Sequence, residues 1–149
     1  FNRVVASIAW ARIGRMGYIE FHVDEATGLA RYTVTGAVTR GDIEAIIREV
    51  REAKLSFRYE LWDFSKADTS AVSAEDVRGI LSLVASHIEA HPEEKTALVF
   101  GRESAFGMGR MYELLTEARD LPIEHRAFRS VDDAMAWLLG TMDTMGQDT

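Results

Sequence analysis

Strict alternation marks the first recognisable element. In "YIEFHVD" (18–24), Ile19, Phe21 and Val23 fall on one face and Tyr18, Glu20, His22 and Asp24 on the other. That is the pattern of a half-buried strand. "EATG" supplies turn chemistry, and "LARYTVTG" (29–36) predicts a second strand, antiparallel to the first across so short a link. The period then changes. Thr39 with Asp42 forms a short-armed capping box, and Ile43, Ile46, Ile47 and Val50 follow the i, i+3, i+4, i+7 spacing of an amphipathic helix. "YELWDF" (59–64) predicts a third strand, with Asp63 near its end.

A second helix opens at Ser73, again with an acid three residues on, Asp76. Its stripe is Val77, Ile80, Leu81, Val84 and Ile88, and Pro92 stops it. "TALVF" (96–100) is a continuous apolar run, as expected of a central strand covered on both faces. A third helix places Met111, Leu114, Leu115 and Ala118 on its predicted inner face and ends before Pro122. "IEHRAF" is the last strand. Ser130 and Asp133 open a fourth helix with Val131, Ala134, Met135 and Leu138 inward. The order β-β-α-β-α-β-α-β-α defines an α/β protein with a mixed sheet, because strand–helix–strand units wind into parallel strands by right-handed crossovers.

Charge changes the picture at the N-terminus. The 149 residues carry a net −7, but residues 1–16 hold Arg3, Arg12 and Arg15 and no acid, so this +3 segment leaves −10 for the rest. Three origins fit residues 1–16: a cloning or start-site extension with Met16 as natural start, an amphipathic surface helix on Val4, Val5, Ile8 and Trp10, or an accessory element docked on the domain. The predicted domain is 17–140, followed by a frayed tail, 141–149. The acidic balance argues against nucleic acid. No apolar run is long enough to span a bilayer. The lack of cysteine excludes disulfides and thiolate metal sites, and fits a cytoplasmic location.

"GRESAFGMGR" (101–110) follows a strand and opens a helix, where phosphate loops occur. It has no Gly-Lys pair, and the lone Gly107–Gly109 motif lies too deep in the helix for a dinucleotide fingerprint. Gly107, four residues before Met111, reads as an inward position that admits a close neighbour. Alternatively the helix start receives an anionic head group between Arg102 and Arg110, with Phe106, Met108 and Met111 as apolar wall. Trp62 and Phe64 share one face of their strand, as core or as the opposite wall of a ligand cleft.

Several of these stretches are familiar together. "DFS" closing a strand, "KTALVFG" leading to "FGMGRMYELL", and "FRSVDDAMAWL" resemble the SpoIIAA-like family of small bacterial proteins, which share the STAS fold of anti-sigma-factor antagonists. The resemblance implies a mixed sheet with helices largely on one face and a likeness to the CRAL-TRIO lipid-carrier fold. It implies a cleft between helices that opens for a nonpolar ligand or a membrane. STAS antagonists carry a phosphorylated serine in Asp-Ser-Ser-Gly; here "DTSAVSAEDV" (68–77) offers Ser70 or Ser73 without that motif, and Glu75 and Asp76 would repel a phosphate.

Other chemistry is thin. His87 and His91 stand at metal-ligand spacing without a third ligand, so no metal or cofactor is expected. Asp63, His22 and His125 have no assignable catalytic partner, and no nucleophile elbow is present. The expected function is a non-enzymatic module binding a lipid or other amphiphile, with peripheral membrane contact. The alternative is a protein-interaction regulator resembling anti-sigma-factor antagonists, acting through the surface near Ser70 and Ser73. A homodimer fits so small a domain.

Overall fold

A computed structural model of the chain describes residues 5–10 (backbone), 17–55, 57–87 and 94–140. Six strands, β1 Val5–Trp10, β2 Tyr18–Asp24, β3 Leu29–Ala37, β4 Tyr59–Asp68, β5 Lys95–Val99 and β6 Glu124–Phe128, form one sheet in sequence order. β1, β2 and β3 are antiparallel; β3 to β6 run parallel. Four helices are described: α1 Arg40–Ala53, α2 Ala74–His87, α3 Glu103–Ala118 and α4 Val131–Leu139. The mixed α/β architecture expected from the sequence is the one observed.

Because the parallel strands follow one another in order, three right-handed crossovers put α1, α2 and α3 on the same face. Among the described residues, α4, which follows β6, is the helix that covers the other face. There Ala134 and Leu138 pack on Leu61, Ala97 and Val99. The first face carries the larger cluster, with Phe21, Tyr32, Val34, Trp62, Leu98 and Phe100 meeting the Ile43, Ile46, Ile47 and Val50 stripe of α1.

The capping chemistry read from the sequence is present. Thr39 and Asp42 exchange hydrogen bonds at the start of α1, and Ser73 and Asp76 do the same at α2. Ser130 Oγ accepts from the Asp133 amide at α4. The start of α3, at Arg102, has no side-chain cap.

The structure differs from the sequence reading in three places. Of the three readings of residues 1–16, the amphipathic helix is replaced by a strand: Val5–Trp10 pairs with β2, in keeping with an accessory element docked on the domain. Strand β4 does not stop near Asp63 but runs on to Asp68 through a bulge opposite Thr33–Thr35. Asp63 stabilises that bulge: its Oδ1 accepts from the Ser65 amide (3.0 Å) and hydroxyl (2.6 Å). Finally, α3 is turned from the face that its apolar residues predict. Leu114 is exposed, and Gly109, Glu113 and Thr116 are buried. Gly107 has open space where a side chain would sit, whereas a Cβ on Gly109 would strike the Phe100 ring. Gly109 is thus the glycine that brings α3 close to the sheet. His91, Ile88, Pro92 and the tail 141–149 lie outside the described residues, as does the side chain of His87.

Candidate functional site: a cavity between the sheet and three helices

The helices differ in how they meet the sheet. The backbones of α3 and α4 come close to β5 and β6, while α2 has α1 and α3 as its close backbone neighbours. The layer over the central strands is therefore bridged by side chains alone. Arg40 secures one end of α2, pairing with Glu44 (2.9 Å) and Asp76 (3.8 Å) and lying across Gly79, where a larger residue would collide with its guanidinium. Beneath α2 lies a cavity of about 1010 Å³.

Its floor is graded along the strands. Trp62, Phe64 and Phe100 present their rings to the cavity and continue a stacked row from Tyr32. Tyr32 and Trp62 stand 3.8 Å apart and nearly parallel, and Phe64 and Phe100 are 5.1 Å apart at 3°. Val77, Ile80 and Val84 of α2 form the roof, and Met108 and Gly109 of α3 form a side. Apolar walls with few polar anchors are usual for small-molecule sites.

The anchors come from the second residue of each of β4, β5 and β6. Glu60, Thr96 and His125 are register partners across the three strands, so they make one polar row, two residues before the apolar row of Trp62, Leu98 and Ala127. All three line the cavity, with Tyr112 of α3 beside them, its ring edge-on to His125 at 5.4 Å. Burial lowers the His125 pKa to about 4, against the opposing effect of its hydrogen bond to the Ile123 carbonyl (2.9 Å). The imidazole is neutral at pH 7, with Nδ1–H donating to that carbonyl. Removal from bulk water raises the Glu60 carboxyl above its ordinary value, with the hydrogen bond from Trp62 Nε1 (3.1 Å) pulling the other way. Burial also raises the Tyr112 phenol, which stays protonated. Arg51, Lys54 and Arg58, with Glu25 and Glu94, gather at this same end of the cavity.

The residues singled out in the sequence divide. Trp62, Phe64 and Met108 line the cavity. Phe106 packs against the same core from α3 and lies under the Arg129 guanidinium, 4.2 Å from its ring centre. Arg102 is exposed at the helix start. Arg110 pairs with Glu113 (2.7 Å), and Met111 is half-buried; neither lines the cavity. Ser73 is engaged in its helix cap, and the Ser70 amide donates to Asp68. The polar row was missed: β4 and β5 each carry a polar residue two positions before a cavity-lining apolar one, Glu60 before Trp62 and Thr96 before Leu98, but only the strand register joins these residues to His125.

Sheet order, crossovers and helix placement define a SpoIIAA-like fold. A solved structure of this class, an uncharacterised protein of the DUF3478 family with a SpoIIAA-like fold from Shewanella loihica PV-4, matches 93% of this chain and 96% of its own at a TM-score of 0.50 and 16% identity. At that identity the likeness establishes the fold alone. No family model and no curated protein matches the chain. Among the described residues no helix is long and apolar enough to cross a membrane.

Proposed function

We propose that this protein binds a nonpolar or amphiphilic molecule, a lipid above all, in the cavity beneath α2, exchanging it at a membrane surface. The observation that carries this reading is a cavity of about 1010 Å³ walled by stacked aromatic rings, in a place where an α/β domain of this size normally has packed core. Its volume matches the range of known ligand sites. Its grading from charged rim through buried polar row to aromatic end matches a molecule with one polar and one apolar end.

The test is binding of the uncharged fluorophore N-phenyl-naphthylamine. The wild-type protein is expected to enhance its fluorescence saturably. Val84→Trp, which fills the roof of the cavity, is expected to abolish the enhancement and leave the melting temperature within a few degrees of wild type. No enhancement by the wild type, or equal enhancement by the filled variant, would falsify the reading.

A further inference from the structure

The polar row poses a chemical question that the apolar cavity does not. Thr96 and His125 are 6% and 5% exposed, and both line the cavity. Nδ1 of His125 is committed to the Ile123 carbonyl, so Nε2 of the neutral ring is a bare acceptor. Neither that nitrogen, nor the Thr96 hydroxyl, nor the Tyr112 hydroxyl has a hydrogen-bond partner among the described residues. Buried polar groups ordinarily find partners, and one left unmet is costly. Here several of them stand together, facing one space.

Building on the cavity reading, we propose that Thr96, His125, Tyr112 and Glu60 form the head-group subsite, and that it takes an uncharged hydroxyl-bearing head, with the attached chain lying over Trp62, Phe64 and Phe100. A ligand hydroxyl donates to His125 Nε2 and accepts from Tyr112 or Thr96, meeting two of the three unpaired atoms of the row. A carboxylate has no proton for Nε2 and would bring its negative charge into a buried row that holds no cation. The rim does not reverse this preference, because Arg51, Lys54 and Arg58 share that end with Glu25, Glu60 and Glu94. No cation stands within the buried row itself: His125 is neutral, its pKa lowered by burial.

Displacement of N-phenyl-naphthylamine by dodecanol and by dodecanoate at pH 7 tests the assignment. Dodecanol is expected to displace the probe at a concentration roughly tenfold lower than dodecanoate, the scale of one or two well-made hydrogen bonds. Thr96→Val keeps the side-chain shape and removes the hydroxyl. It is expected to weaken dodecanol roughly five- to tenfold, well beyond any change in affinity for the probe, which has no hydroxyl. Tyr112→Phe makes the same test from the helix side should the strand variant fold poorly. Equal displacement by the two ligands, tighter dodecanoate, or dodecanol binding indifferent to both variants overturns the head-group assignment while the cavity reading stands. Failure of the probe to bind the wild-type protein overturns both.

Discussion

The two faces of the sheet are covered differently. Under α4 the small and branched side chains of Leu61, Ala97 and Val99 meet Ala134 and Leu138 directly. Under α1, α2 and α3 the same strands present Trp62, Leu98 and Phe100, yet three helices leave a cavity between themselves and these larger residues. More helix and bulkier side chains give the looser face. The reason is geometric. α3 is drawn in by Gly109, α4 by Ala134, and α2 rests on its neighbouring helices. One face supplies packing, and the other is free to hold something.

The comparison predicts unequal penalties for equal truncations. Leu138→Ala, at a 1% exposed position in the closed layer, should cost about 3 kcal/mol, and Leu98→Ala on the cavity floor about half that, because a residue beside an existing void has fewer contacts to lose. Urea denaturation of both variants measures the difference. Equal losses would show that the two faces are packed alike.

Acid should expose the cavity face next. His125 has a pKa of about 4 in the folded protein, against an unfolded value near 6.5. As pH falls from about 6.5 to 4 the unfolded chain takes up a proton that the folded chain refuses, so stability drops by roughly 2–3 kcal/mol. Glu60 acts in the opposite sense. Its raised pKa lets the folded state bind a proton first, and it regains stability as pH falls toward the unfolded carboxyl value. Asp68 and Asp76, held low chiefly by hydrogen bonds from Ser70 and Ser73, lose their contributions only at lower pH still. His125→Phe should therefore flatten the decline between pH 6.5 and 4, read from urea midpoints at half-unit intervals. An unchanged profile would mean that the imidazole titrates normally.

The smallest effects separate two glycines on one helix. Gly107→Ala adds a methyl group in open space at a helical position and should stabilise by about 0.5–1 kcal/mol. Gly109→Ala should destabilise by about 1–2 kcal/mol, as the Phe100 ring is pushed toward the cavity. Thermal melts of the pair settle which glycine lets α3 approach.

This pair also shows where the sequence was legible. Elements whose inner face is wholly apolar were read correctly, α1 through Ile43, Ile46, Ile47 and Val50, and β2 through Ile19, Phe21 and Val23. In α3 a count of apolar residues points the wrong way, because its buried face includes Glu113 and Thr116 while Leu114 is exposed. β1 was not legible because Val4, Val5 and Ile8 are spaced as on a helix face, and its pairing with β2 is long-range. For the candidate site, Trp62 and Phe64 were visible as a pair on one strand face. The Glu60–Thr96–His125 row was not, because it exists only across three strands and needs their register.

Glu113 has one more consequence. Its Oε1 accepts the outward amide of Ala127 at 3.0 Å, while Oε2 holds Arg110. β6 is the last strand of the sheet, and bare main-chain donors on such a border are a template on which another polypeptide can add a strand. With that amide occupied from within the molecule, the border offers an incoming strand one fewer bond just where the ladder would continue. A carboxylate that spoils the amphipathic pattern of its helix therefore also leaves the border of the sheet one donor poorer.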